Sequence, residues 1–308
     1  MAVAFLFPGQ GSAAVGMGAE FFAADPRFDD YSRRASEQLG RDLKAIALQG
    51  PEETLVATEN AQPAIFCLSA ACLDAFREKC SPGRADYYAG HSLGEYTALY
   101  AAGALAFDDA LALVCKRGAY VAAAGAARPG TMGAVLGLED GVVENICLEA
   151  SAAGLVVPAN YNTQGQVVVS GTPAGVARAG ELAVARGGKF SPLKVSGAFH
   201  SPLVVDAAEK MKASLVGVPI GIPRGEFIPN VTGEVEDNAE AIRELLYQQI
   251  ASPVRWGKTM ETMIAGGVTT IIEFGHGRVL SGMFKKAKRD IKTFNVFDEA
   301  SLTAAVAG

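Results

Sequence analysis

The amino-acid sequence predicts an α/β protein: a larger unit built on a mostly parallel sheet, interrupted by a small ferredoxin-like βαββαβ unit. Three observations predict it. Strand-like and helix-like runs alternate through residues 1–128 and again through 197–308, the pattern of parallel strands covered on both faces by helices. Residues 129–196 between them read strand, helix, strand, strand, helix, strand. The chain has 308 residues, half of them apolar and 19% charged, which suffices for about two domains and a core without disulfide or metal staples.

Each element is set by local signals. Residues 3–7 are the first strand, ended by Pro8-Gly9-Gln10-Gly11. Residues 18–40 are helical with one break at Asp25-Pro26, where Asp25 can cap the second helical segment. Residues 62–79 form a helix with Pro63 near its first turn. A short strand at 86–89 runs straight into Gly90-His91-Ser92-Leu93-Gly94, and a helix continues to about residue 102. The helix at 108–124 opens on acidic residues, which suit the positive end of the helix dipole. In the insert, 131–138, 155–161, 166–170 and 190–195 are strands, and 140–152 and 173–186 are helices. Arg128-Pro129-Gly130 and Ser196-Gly197 bound that insert. The remainder reads helix 203–215, strand 227–231, helices 239–250 and 253–265, strand 268–274, helix 278–288, strand 292–296 and a last short helix. Ser252-Pro253 offers an N-cap and first-turn pair for the helix after it.

Composition narrows the function. A net charge of −6 argues against a nucleic-acid partner without a local basic patch. No uninterrupted apolar run reaches the roughly 18 residues of a membrane span, so no membrane partner is expected. The start of the chain lacks a basic segment and reads as a strand rather than a signal peptide. Five cysteines, Cys67, Cys72, Cys80, Cys115 and Cys147, include no Cys-x-x-Cys. A disulfide framework or a zinc site is therefore not expected, and a reduced cytoplasmic setting is. Cys115 lies in an apolar helical stretch and reads as a small buried hydrophobe.

Gly90-His91-Ser92-Leu93-Gly94 matches G-x-S-x-G between a strand and a helix. A sharp strand-to-helix turn strains the backbone at its Ser, and flanking glycines make room. The hydroxyl then projects toward a helix N-terminus, where amide donors and the dipole favour an oxyanion. The bland alternative is a glycine-rich turn with a capping Ser; the strand before and the helix after make Ser92 a candidate nucleophile. A nucleophilic Ser needs a base, and the chain has three histidines. His91 adjoins Ser92, where elbow neighbours point elsewhere, and reads as a packing residue. His200 and His276 both sit on loops leaving strands, and spacing alone leaves both open. Pro8-Gly9-Gln10-Gly11-Ser12 is neither a dinucleotide fingerprint nor a P-loop. Its glycines either bring backbone N–H groups to a reacting oxygen or make a plain tight turn. Arg117 shares a helical stripe with Ala110, Leu113, Val114, Tyr120 and Val121. An unpaired guanidinium on an apolar face is costly, so it should meet a carboxylate, from a distant side chain or from a ligand.

Together these residues resemble one family closely: the malonyl-CoA:acyl carrier protein transacylases of type II fatty acid synthesis. The matching segments are Phe7-Pro-Gly-Gln-Gly-Ser12, Gln62-Pro63, Gly90-His-Ser-Leu-Gly-Glu-Tyr96, Arg117-Gly118, Gly165-Gln166-Val167 with Ser170-Gly171, Ala198-Phe-His-Ser-Pro202, Gln249 ahead of Ser252-Pro-Val254, and Glu273-Phe-Gly275 with Val279-Leu280. They stand in family order along nearly the whole chain. The resemblance implies a hydrolase-like core with an inserted ferredoxin-like domain. It implies Ser92 as the acylated nucleophile and His200 as its base, with the main-chain carbonyl of Gln249 orienting the His. It implies an oxyanion hole from the backbone amides of Gln10 and Leu93, and Arg117 as the group that binds the free malonyl carboxylate. Leu93 and Ala198-Phe199-His200 resemble the pattern that accompanies malonyl use in related polyketide acyltransferases. Malonyl-CoA and acyl carrier protein are the implied partners, and no metal or redox cofactor is implied. The chain departs from the family at Gly275-His276-Gly277, where Gly-Pro-Gly is usual. Carrier proteins of this kind are acidic, so docking calls for local positive charge. Lys285, Lys286, Lys288 and Arg289 are one candidate cluster, and Arg186 with Lys189 another; either is also an ordinary solvated face. The competing class is a serine hydrolase using Ser92 with a different His, for which no acidic third member announces itself.

Overall fold

A computed structural model describes residues 2–80 and 83–308. Its strands are β1 (Ala2–Phe7), β2 (Tyr87–Gly90), β3 (Thr131–Leu136), β4 (Val156–Thr163), β5 (Gln166–Gly171), β6 (Lys189–Pro192), β7 (Glu226–Phe227), β8 (Val268–Phe274) and β9 (Lys292–Val296). They form two sheets, one ordered β7-β2-β1-β8-β9 and one ordered β4-β5-β3-β6. Every pairing in the first is parallel, and every pairing in the second is antiparallel.

The apolar run of β1 is what a strand covered on both faces requires. Phe5 and Phe7 pack into the core under the long helices, whereas Ala4 and Leu6 pack into a second core with Trp256, Ile271 and Phe284 on the other face. Phe5 meets Phe274 of the neighbouring strand with ring centroids 4.9 Å apart. Burying each such ring stabilises by about 1.5–3 kcal/mol. The strands flanking β1 extend the sheet in both directions, so the loops leaving the C-terminal ends of β1, β2 and β8 gather at one edge.

The small sheet puts β3 and β5 at its centre, as the βαββαβ order predicts. One face packs Val135, Val167 and Val169 against Val143 and Ile146 of helix Asp140–Ala150 and Val176 of helix Pro173–Ala185. The opposite face carries Met132, Ala134, Ala159 and Val168, and Phe199 packs against it. That second face therefore looks onto the loop that bears His200.

Several boundaries differ from the sequence reading. The helix expected from residue 62 starts four residues earlier, as Thr58–Lys79, and encloses Pro63. Pro63 has no N–H for the carbonyl of Glu59, and a guanidinium nitrogen of Arg41 donates to that carbonyl instead, at 3.3 Å. Helices Leu43–Gln49 and Glu52–Val56 have no counterpart in the sequence reading; Asp42, capping the amide of Ala45 at 2.9 Å, was the signal for the first of them. The helix expected at 253 begins at Trp256, because Val254 pairs with Asn160 of β4 and Ser252 turns its carbonyl toward His200. The strand expected over 227–231 shrinks to two residues, since Asn230 leaves the sheet to bond the elbow. The strand over 190–195 is Lys189–Pro192.

Helix Phe107–Ala127 is long and apolar enough to cross a membrane by length and composition. More than half of that stretch is buried inside the fold, with Arg117 on its inner face. Cys115 is buried as expected, and all five cysteines are free.

Candidate active site

The elbow is built by exclusion. A Cβ on Gly90 would lie 1.9 Å from the carbonyl carbon of Gly94, and one on Gly94 would lie 2.2 Å from the oxygen of Phe7. The two glycines let β2 turn into helix Gly94–Ala101 directly against the end of β1. Ser92 at the apex has φ 55°, a left-handed conformation that is costly for a residue with a Cβ. It is held there by Asn230, whose side-chain oxygen accepts from the Ser92 amide at 2.6 Å while its NH₂ donates to Gly90 O at 2.7 Å.

Ser92 Oγ lies 2.9 Å from His200 Nε2. His200 also has φ 55°, and its Nδ1 faces the carbonyls of Gln249 at 2.8 Å and Ser252 at 3.2 Å. Two carbonyls require the proton on Nδ1, which leaves Nε2 as the acceptor for the Ser92 hydroxyl. Burial, and the nearby Arg117 charge, push the His200 imidazole down to about 3, so it is neutral and free to accept a proton. No carboxylate touches the ring among the described residues.

Neither of the other two histidines hydrogen-bonds to this pair among the described residues. His91 Nε2 meets Asn162 Oδ1 of β4 at 3.0 Å and its ring packs on Trp256, so it joins the elbow to the small sheet. Its neighbour Gly9 is equally constrained: a Cβ there would come within 2.8 Å of His91 O. His276 is half-buried, with its ring edge-on to Phe297 at 6.3 Å between Gly275 and Gly277. The loop that carries it is fixed by Glu273, whose carboxylate accepts from the amides of Leu280 and Ser281 and from Asn295.

Close contact of Gly9 with His91 brings the loop after β1 over the elbow. Among the described residues, the backbone amides of Gln10 and Leu93 donate to nothing. The Gln10 side chain is tied back to Val56 O at 3.2 Å and Thr58 Oγ1 at 3.0 Å.

Arg117 does not meet a carboxylate directly. One guanidinium nitrogen donates to Ser92 Oγ at 3.0 Å and to Gln249 Oε1 at 2.7 Å, and the other to Gln62 Oε1 at 2.6 Å. Its ring neighbour is Tyr96, 5.9 Å to the centroid. The residue is 3% exposed and its Nε has no partner among the described residues. Glu95, fully buried, reaches it through one amide. It accepts from Gln249 Nε2 at 2.7 Å and from the Asn230 amide. Burial pushes the Glu95 carboxyl up to about 7, against the opposing pull of Asn230, Gln249 and Arg117. Sequence reasoning assigned no role to Glu95, Asn230 or the side chains of Gln62 and Gln249. Gln62, Glu95 and Gln249 stand in the segments that resemble the family, but for Asn230 the one available signal was that a buried Arg and a strained elbow need neighbours.

Of the two basic clusters, Arg186 is paired with Glu149 at 2.5 Å, and Lys285 and Lys288 donate to Ile291 O at 2.5 Å and Val268 O at 3.5 Å. Lys189, Lys286 and Arg289 are exposed.

A model of the acyl transferase domain family matches residues 4–301. On this core, that match sets the class: the protein is an acyltransferase. The malonyl CoA-acyl carrier protein transacylase of Bacillus subtilis (strain 168) is 44% identical over 306 residues, 99% of this chain and 96% of its own. An acyl-carrier-protein S-malonyltransferase from Burkholderia pseudomallei 1710b has a crystal structure matching with TM-score 0.94 at 40% identity, over 100% of both chains. A malonyl-transacylase solved in complex with a type II polyketide synthase acyl-carrier protein matches with TM-score 0.95 at 38% identity, over 100% of this chain and 99% of that one. The chain therefore belongs to the malonyl CoA-acyl carrier protein transacylase family.

Proposed function

We propose that this enzyme moves malonyl from malonyl-CoA to the phosphopantetheine thiol of an acyl carrier protein, through a malonyl ester on Ser92, as a step of fatty acid synthesis. The observation that carries the reading is Arg117. A buried guanidinium held only by neutral oxygens, 3.0 Å from Ser92 Oγ, is an arginine waiting for an anionic acyl group. His200 Nε2 takes the Ser92 proton as Oγ attacks the thioester carbon. The developing oxyanion is met by the amides of Gln10 and Leu93, each without an acceptor among the described residues. The carbon–sulfur bond breaks, the coenzyme A sulfur takes the proton from His200, and the malonyl ester remains. The carrier thiol then gives its proton to His200, attacks the ester carbon, and Ser92 leaves with that proton.

Arg117 also adjusts the base. Its positive charge is one of the causes that lower His200. A malonyl carboxylate seated on the guanidinium offsets that charge, so the correct acyl group itself raises the basicity of His200. An acyl group without a carboxylate leaves the base weak.

The test is the fate of the acyl group. With malonyl-CoA and a phosphopantetheinylated carrier, malonyl-carrier should greatly outpace free malonate when both are quantified by mass spectrometry. Free malonate as the main product would instead identify a hydrolase. A carrier of type II polyketide synthesis, the partner of one solved relative, is the second acceptor to assay.

The base assignment gives a separate expected result. His200→Ala should lose about 10²–10⁴-fold in transfer rate, the usual worth of a general base. His276→Ala, altering a ring packed on Phe297, should keep most of it. Steady-state kinetics of both variants decide; a crippled His276 variant beside an active His200 variant would overturn the assignment.

A further inference from the structure

We propose that Glu95 is the positioning residue that fixes the Gln249 amide and, through it, sets the Arg117 guanidinium beside Ser92. The inference rests on the reading of Arg117 as the malonyl carboxylate's partner. Gln249 stands at a junction. Its NH₂ donates to Glu95 Oε2 at 2.7 Å and to Ser92 O at 3.0 Å, and its Oε1 accepts from Arg117 at 2.7 Å. Its main-chain carbonyl accepts from His200 Nδ1 at 2.8 Å. The reverse amide orientation would turn NH₂ onto a guanidinium and Oε1 onto a carboxylate, leaving two donors and two acceptors face to face. A carboxylate at Glu95 therefore dictates which way Gln249 points. The other oxygen of Glu95 takes the amide of Asn230, whose side chain holds the Ser92 amide, so the carboxylate cannot swing away from its place.

The arrangement also explains why a buried Glu does not simply pair with a buried Arg. A direct ion pair would satisfy the guanidinium and leave nothing to recognise a ligand. One amide between them keeps Glu95 near Arg117 yet leaves the guanidinium on neutral oxygens, with its Nε unpartnered among the described residues, so a second carboxylate can still pair with it.

The experiment measures kcat/KM for malonyl-CoA and for acetyl-CoA in wild type, Glu95→Gln, Arg117→Ala and the double variant. In Glu95→Gln the neutral amide no longer dictates the orientation of Gln249. The malonyl-to-acetyl ratio should fall at least about tenfold, the scale of a misplaced charged contact. On the Arg117→Ala background the same change should move the ratio no further. A parallel fall for both substrates would mean that Glu95 merely supports the elbow through Asn230, and would overturn the proposal. So would a further independent fall in the double variant. Should Arg117→Ala lower the ratio and Glu95→Gln leave it unchanged, this inference fails alone. Should Arg117→Ala itself leave the ratio unchanged, the reading beneath it fails as well. Glu95→Asp is the second variant if the Gln form does not fold: it keeps the charge but withdraws the carboxylate from Gln249, and the ratio should fall in the same sense.

Discussion

Brief incubation with malonyl-CoA alone should add a single malonyl group to the intact protein, and digestion should locate it on Ser92. Ser92→Ala should show no adduct and should lose transfer by at least about 10⁴-fold, because a nucleophile has no partial substitute. The expectation comes from geometry. Ser92 is strained into the left-handed region at the end of β2, with a neutral imidazole 2.9 Å from its oxygen and a guanidinium 3.0 Å away. The Arg117 contact favours the alkoxide that forms when the proton leaves. A wild-type adduct on any other residue, or an undiminished adduct on the Ala variant, would remove Ser92 from the mechanism.

The second large effect concerns the choice of malonyl over acetyl. Arg117→Ala should depress malonyl transfer severely and acetyl transfer much less. A site built around a polar contact can reject a ligand that lacks the matching group by about 10⁴-fold, because its own buried group is left unpaired. Acetyl gives Arg117 nothing, and removing the guanidinium removes both that penalty and one cause of the low basicity of His200. Arg117→Lys should recover only part of the malonyl rate, since an ammonium keeps the charge but cannot reach Gln62, Gln249 and the substrate from one planar fork. The measurement is the ratio of kcat/KM for the two thioesters. An unchanged ratio in a folded Arg117→Ala variant would make Arg117 a structural residue and put malonyl selection elsewhere.

Much of the fold was legible because its signals are local. The alternation through β1, β2, β8 and β9 reads directly from short apolar runs between amphipathic ones, and the βαββαβ insert from Val-rich runs bounded by Gly and Pro. Errors fell where a tertiary contact overrode a local preference. Ser252-Pro253 has the chemistry of a helix start, yet β4 draws Val254 into a bridge and delays the helix to Trp256. Residues 227–231 have the composition of a strand, yet Asn230 is drawn to Glu95 and the elbow. Pro63 marked a helix start by the usual rule, but Arg41 satisfies the carbonyl that Pro63 abandons and the helix runs through it.

By itself the sequence determined the elbow. Gly90, Ser92 and Gly94 lie within five residues, and the strained turn they make depends only on side-chain size and on the strand and helix that flank it. It also determined that Arg117 is buried, since its stripe is apolar, but not what it meets. Spacing left the base open and only the resemblance to the family pointed to His200; the tertiary structure alone decided which side chains meet Arg117, and it sets His200 and Gln249 beside Ser92. His200 is 108 residues from Ser92, and Gln249 is 157. No periodicity reaches across such separations, so by spacing alone the two loop histidines stay equivalent, and only the resemblance separated them before the fold brought His200 to the end of β2. A carboxylate for Arg117 likewise could not be foreseen as Glu95 acting through an amide, because a hydrogen bond's partner depends on a few tenths of an ångström that only the packed core defines.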